Sequence, residues 1–217
     1  MSNEKSETAI SEKKNTSVAV PSAFLDDANS GLETLTADDI TIPRLKVLQA
    51  MSPEVMKSDS KYIEGASAGD IINTVTSKLY TDDEPLVVLP VAYKRLFLEW
   101  GPRESGGGLV AQHEDSSILS KTSKDNMGRD MLENGNYIQT SATHFVLSIH
   151  KDGSYDTAMI AMAGTQLKKS RTWNSVMASI KMKSGDKVFT PASFSHKYIM
   201  KTKAESNDRG TWFGWNI

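Results

Sequence analysis

The strongest constraint on this chain is a run of alternating segments that a sheet satisfies best. Residues 137–149 set Phe145, Leu147 and Ile149 against His144, Val146 and Ser148, the period of two that marks a half-buried strand. Lys151-Asp152-Gly153-Ser154 follows, and Asp-Gly is the usual signal of a type I′ hairpin turn. Residues 155–162 return as the partner strand. Upstream, residues 86–100 (LVVLPVAYKRLFLEW) are the strongest strand in the chain, and Pro90 within them implies an edge position or a bulge. Alternation puts Tyr93, Arg95 and Phe97 on one face and Lys94, Leu96, Leu98 and Trp100 on the other, unless a bulge resets the register.

After Gly164, residues 165–182 (TQLKKSRTWNSVMASIKM) read as one amphipathic helix. Trp173, Val176, Met177 and Ile180 fall at i, i+3, i+4 and i+7, a single apolar stripe with Lys168, Lys169, Arg171, Lys181 and Lys183 mostly off it. Residues 189–203 are a further strand region, with Lys197, Lys201 and Lys203 on one face and Phe194, His196 and Tyr198 on the other. Residues 205–210 turn, and TWFGWNI is a last strand. Near residue 43, a short helix beginning at Pro43 is expected to end before Pro53, with an extra strand at 70–75. Residues 109–136 are a long polar excursion, of the kind that is often functional. Strand–strand hairpin, helix, then hairpin is the order a five-stranded OB barrel requires. The expected fold class is therefore mainly β, an OB-fold-like β-barrel with one principal helix; other small mixed barrels and α+β sheets share the order. Residues 1–35 are read as a disordered acidic N-terminal tail and 36–217 as a single OB-like nucleic-acid-binding domain.

Cysteine is absent from the 217 residues, which excludes disulfides and thiolate metal sites. No apolar run reaches the ~18 residues of a membrane span, and the N-terminus has no apolar core of a secretory signal. A cytoplasmic protein without a membrane partner is expected. Net charge is only −2, but it is unevenly spread. Residues 1–85 carry 8 Lys/Arg against 15 Asp/Glu, and residues 158–217 carry 10 against 3. A basic C-terminal third behind an acidic N-terminal third suggests a polyanion-binding surface, although solvated charge segregates by chance as well.

Catalysis finds little support. His113, His144, His150 and His196 show no metal spacing. P-loop, nucleophile-elbow and dinucleotide motifs are missing, and Gly106-Gly107-Gly108 lacks the Lys and helix start of a phosphate cradle. No catalytic residue, metal or cofactor is expected. Single-stranded nucleic acid needs cations along the phosphates and exposed π-faces under the bases. Those types interleave in four places, around Tyr93-Lys94-Arg95, Lys168-Lys169, His196-Lys197-Tyr198 and Arg209 to Trp215. Strand aromatics usually belong to a core; Phe145 and Phe194 are assigned there, with Trp100 as a further candidate for it.

Between about residue 40 and the end, the landmarks IPRLKVLQAMSPEV, YIEGASAGDIINTVT, PVAYKRLFLEWGPRESGGG, GTQLKKSRTWNSVM, FSHKYIMKT and SNDRGTWFGW resemble a group of tailed-bacteriophage proteins associated with replication and recombination genes. The chain is similar to phage single-stranded DNA-binding proteins with an OB core, over about four-fifths of its length. The resemblance implies coating of single-stranded DNA in the bacterial host cytoplasm during DNA replication or recombination, in contact with phage or host proteins of those processes. An oligomer is allowed. The resemblance carries Arg95, Trp100, Arg103, residues 168–173 and residues 212–215 into the site. With the interleaved clusters, the expected nucleic-acid-binding set is Tyr93, Arg95, Phe97, Trp100, Arg103, Lys168, Lys169, Arg171, Trp173, Lys197, Tyr198, Lys201, Lys203, Trp212 and Trp215. One departure stands out: many such proteins end in an acidic tail, and this chain ends WFGWNI. The alternative reading is a protein–protein module, either a virion component or a host-factor inhibitor or adaptor, in which the same aromatics are core and interface. A third is a nuclease or strand-annealing enzyme, against which the missing carboxylate motif argues.

Overall fold

The structure is a computed structural model that describes residues 26–217 apart from Arg103, Ser105 and Arg209. It divides into two units, residues 1–40 and Thr41–Ile217. In the first, the described residues 26–40 are all exposed. Besides turns closed by backbone hydrogen bonds between residues 27 and 35, they form a 3₁₀ turn at Ala37–Asp39, where the Asp39 carboxylate accepts from the Thr36 backbone N–H and hydroxyl. The expectation of a disordered tail falls mainly on residues 1–25, outside the described residues.

The second unit is mainly β. Strands β1 (Leu45–Val47), β2 (Ile71–Asn73) and β3 (Leu79–Tyr80) form a small antiparallel sheet. The helix expected from Pro43 is absent. Leu45 to Val47 are extended because β2 supplies a ladder partner for each of them, and the helical turn is a 3₁₀ at Pro53–Val55.

Strand β4 (Leu86–Trp100) is the spine of the larger sheet. Its register against β8 shifts between Pro90 and Ala92, a bulge where proline has no N–H to give. β12 covers the other edge of β4 only at Leu86 to Val88 and β5 (Leu109–His113) only at Phe97 to Trp100. Between them, residues 89–96 meet no strand on that side among the described residues. The polar excursion is therefore partly organised. β5, a 3₁₀ turn at Ser116–Lys121 and the short strands β6 (Ser123–Lys124) and β7 (Asp130–Met131) all lie within it. Its anchor is Glu99, 8% exposed, which accepts from Asn136 Nδ2 at 2.5 Å and pairs with His113 Nε2 at 2.9 Å.

Strands β8 (Tyr137–Ile149) and β9 (Tyr155–Ala163) form the expected hairpin. Its turn differs from expectation. His150 N–H donates to the Ser154 carbonyl around a three-residue loop, with Gly153 at φ 88° and Asp152 outside the left-handed region that a type I′ turn needs. Helix α1 (Leu167–Ser179) follows, then the small hairpin β10 (Met182–Ser184) and β11 (Lys187–Phe189), then β12 (Tyr198–Asn207) and β13 (Gly210–Asn216). The strand path is β13-β12-β4-β8, with β9 beyond β8. No ladder joins β9 to β13 among the described residues. Glutamine amides lie there instead. Gln166 Oε1 accepts Trp215 N–H at 2.9 Å, and Gln49 both accepts from Phe213 N–H and donates to its carbonyl, each at 2.9 Å. Gly69, at φ 100°, packs so closely that a Cβ would stand 2.9 Å from the Phe213 ring.

The core runs through Leu86, Val88, Val146, Ile160, Met162, Met200 and Trp215 and is closed by Trp173 of α1. The buried face of the helix is Ser170 and Trp173, flanked by partly buried Leu167 and Met177, while Val176 is 46% exposed. The stripe is thus rotated from the expected one, toward Ser170. No helix among the described residues is long and apolar enough to cross a membrane. Removing a fully buried indole costs about 3–5 kcal/mol. Trp173→Ala is expected to lower unfolding free energy by that amount in urea titration, and Val176→Ala by under about 1 kcal/mol.

Candidate nucleic-acid interface

The docking of Trp173 decides where the helix cations go. At about 100° per residue, Lys168 and Arg171 lie on the side of α1 away from Trp173, and both are exposed without an acidic partner. Lys169 lies on the inner side. It pairs with Glu205 Oε1 at 2.8 Å, and Glu205 Oε2 also accepts from Gln166 Nε2 at 3.2 Å and Trp212 Nε1 at 3.1 Å. The Lys169 hydrogen bond, foremost among these, holds the Glu205 carboxyl below its ordinary range. Lys169 and Trp212 are therefore engaged within the protein, and Glu205 is a participant that residue-type reasoning missed.

Between α1 and the β12–β13 hairpin lies a cleft of about 500 Å³. Trp173, Tyr198 and Trp215 form its floor, and Lys168, Thr172 and Val176 stand on the helix side. It thus joins the helix cluster and the C-terminal cluster, which lie some forty residues apart in the chain. Tyr198 is partly exposed and meets the Trp173 ring edge-on at 5.5 Å. Lys197 and Lys203 are exposed without acidic partners, and Lys201 is 3.9 Å from Asp82.

The β4 residues divide. Tyr93 is 38% exposed and Arg95 is exposed and unpaired, both on the open stretch of the strand. Trp100 lies on the opposite face, in a groove of about 370 Å³ with Arg44, Lys94, Leu98 and Phe145. Arg103 lies outside the described residues. Phe97, Trp173 and Trp215 are 3%, 1% and 4% exposed. Their rings are covered by the sheet and helix that they hold together, so the expectation of open stacking faces there gives way to a core role. Phe194 moves the other way. It is 57% exposed, not core, because the chain leaves the sheet and makes a 3₁₀ turn at Ser193–Ser195 before β12 begins.

Ion pairing differs in degree between the two parts of the chain: before the helix, Arg44, Lys57, Lys61, Arg95 and Lys121 have no carboxylate partner among the described residues, but six other basic residues do. Lys46, Lys78, Lys94, Lys124, Arg129 and Lys151 are all matched to carboxylates. Lys168, Arg171, Lys181, Lys183, Lys187, Lys197 and Lys203 have none among the described residues, and the basic spacing after the helix was the sequence signal for them. Among the described residues no three His, Asp or Glu side chains gather to hold a metal ion. A Ser–His pair exists, His144 Nε2 to Ser170 Oγ at 2.8 Å, but both groups are sealed from solvent and reach no substrate.

Residues 12–217 match the family described as Pam3 phage gp34-like protein, and the chain belongs to that family. No curated protein and no solved structure matches it.

The buried imidazole beneath the cleft gives the protein a pH signature. His144 is stacked on Trp173, with ring centres 4.4 Å apart at 28°, and tilted against Tyr93 at 5.0 Å. Burial lowers its pKa from 6.5 to about 4. As pH falls from about 6.5 toward 4, the unfolded chain takes up a proton that the folded chain refuses. Stability therefore drops through that window, by on the order of 3 kcal/mol, and this loss levels off below pH 4. Urea midpoints of wild type and His144→Gln measured from pH 7 to 4.5 are expected to show a steeper decline in wild type.

Proposed function

We propose that this phage-family protein is a non-enzymatic single-stranded DNA-binding protein that coats DNA in the bacterial host cytoplasm during replication or recombination. The observation that carries the proposal is an aromatic cleft lined by unpaired Lys168, with Arg171, Lys197 and Lys203 exposed and without acidic partners among the described residues on or beside the elements that form it. Phosphates would run along Lys168 and Arg171 to Lys197 and Lys203. One base would enter the cleft against Tyr198 and Val176, and another would stack on Tyr93. Such stacking needs no sequence code. The strand path, with a helix between β9 and β12, supports an OB-like barrel, the fold in which this kind of site is common. Contacts with phage or host replication and recombination proteins belong to the same proposal.

One observation favours a second reading. Three of the expected stacking aromatics are core, while Ile199 is 55% exposed among the lysines of β12. A docking face for an acidic protein partner would have that composition.

Titration with oligo-dT and with duplex of equal length, at several salt concentrations and followed by anisotropy of labelled DNA, separates the two. Saturable binding of oligo-dT, stronger than of duplex and weakening with salt, is expected. Lys168→Ala with Arg171→Ala should weaken it about tenfold and flatten the salt slope by about 1.4, the share of two phosphate contacts on a single strand. No binding by wild type at low salt would sink the proposal and favour the docking face.

A further inference from the structure

The β10–β11 hairpin is the least explained part of the fold. Its two strands pair only with each other, Met182 with Phe189, Lys183 with Val188 and Ser184 with Lys187. Every residue of both strands is exposed. Phe189 is 44% exposed, Val188 66% and Met182 43%. A lone two-stranded hairpin is marginal in water, and apolar groups left open on one make sense when something covers them. The base of the hairpin is built to hold it in place. Lys181 Nζ donates to the Ala178 carbonyl at the end of α1 and to Thr190 Oγ1 across the ladder. On the far side, the Ser193–Ser195 turn packs against β4, whose open stretch displays Tyr93 and Arg95. The hairpin thus leaves the C-terminal end of α1, and the chain after it returns to β4 at the Ser193–Ser195 turn.

Its charge says what fits. From Lys181 to Lys197 the segment carries four lysines against one acid, Asp186. In an antiparallel ladder directly paired residues share a face. Met182, Phe189, Ser184 and Lys187 thus present an aromatic ring beside an ammonium on one side, and Lys183 projects from the other.

We propose that this hairpin is an arm that closes over single-stranded DNA, with Lys187 on the phosphodiester backbone and Phe189, on the same face, against a base. The arm rests on the binding function proposed above and adds to it a site that no other part of the fold supplies. A bound strand passes from the α1 cations beneath the arm to Arg95 and Tyr93. The arm lengthens the site, so its contribution grows with the length of the oligonucleotide.

The test uses the full chain, because Lys187 and Phe189 are solvent-exposed and their substitution leaves the core untouched. Lys187→Glu, and separately Phe189→Ala, are titrated with labelled oligo-dT of short and long lengths at three salt concentrations, beside wild type and the Lys168/Arg171 variant. The charge variant is expected to bind the long oligonucleotide several-fold more weakly than wild type, with a salt slope reduced by about 0.7. Phe189→Ala is expected to weaken binding about tenfold with the salt slope unchanged, as loss of a stacking contact should. The short oligonucleotide should respond less to both. Wild-type affinity and slope in both arm variants, with the Lys168/Arg171 variant still weakened, would overturn the arm and leave the binding function standing. No oligo-dT binding by wild type would overturn both. A concentration-dependent dimer in sedimentation, broken by Phe189→Ala without change in DNA affinity, would identify the cover as a second copy and overturn the arm's role on DNA.

Discussion

The stack of Trp173 on His144 is the contact on which the rest of this structure depends. It places a fully buried indole and a neutral imidazole face to face at 4.4 Å and ties the helix to β8 through the Ser170 hydroxyl. Tyr198 closes the other side of the indole from β12. Three elements far apart in sequence meet on one ring. Because a helix is rigid about its axis, fixing Trp173 fixes every other side chain on α1. Lys168 and Arg171 point to solvent for that reason, and Lys169 is turned toward Glu205. The cleft exists because the helix stands off β12 and β13 at the distance this stack sets. Buried polar edges accompany it: Trp173 Nε1 and His144 Nδ1 have no hydrogen-bond partner among the described residues. Dispersion and apolar burial outweigh that cost here, as the size of the indole makes reasonable.

Much of the frame was legible because alternation is a local signal. The order β4, β8, β9, α1, β12, β13 follows from period-two and helical stripes that each segment carries in itself. Pro90 announced its bulge for a chemical reason, the missing N–H. What could not be read depended on partners distant in sequence. Leu45, Val47, Leu48 and Met51 suit a short helix as well as a strand, and β2 decides between them. Residues 109–136 look like a loop until Glu99 gathers His113, Asn134 and Asn136. In the candidate site the ambiguity was one of residue type. A tryptophan near lysines serves equally well in a core or under a base, and only burial separates Trp173 and Trp215 from Tyr93 and Tyr198. Phe194 shows the converse, since its spacing fits a strand that has not yet begun.

Charge is managed differently in the two ends of the folded unit. In the first part, lysines meet carboxylates at short range, as in Lys46 with Glu54 at 3.0 Å and Lys94 with Glu114 at 2.7 Å. Exposed pairs of this kind add little stability, yet they cancel the local field. In the last third acids are scarce; Glu205 meets Lys169, and Lys201 reaches an acid of the first part, Asp82. The remaining ammonium and guanidinium groups lie along one helix, one strand and one hairpin. Fields from such groups add over distances near a Debye length, about 8–10 Å at physiological ionic strength. An approaching anion therefore meets a directional potential in a protein whose net charge is slightly negative.

The seam between β9 and β13 deserves a mechanical reading. A glutamine amide offers one acceptor and a pair of donors, so Gln49 reproduces on Phe213 the reciprocal pairing that a neighbouring strand would give. It does so without committing any backbone, and Gln166 does half as much for Trp215. The sheet is thus fastened along this line by a clasp rather than a weld. Both side chains can rotate without unpairing a ladder on either side, while Trp215 stays in the core and Phe213 stays packed on Gly69. Along this line the sheet therefore depends on side-chain rotamers, where everywhere else it depends on backbone.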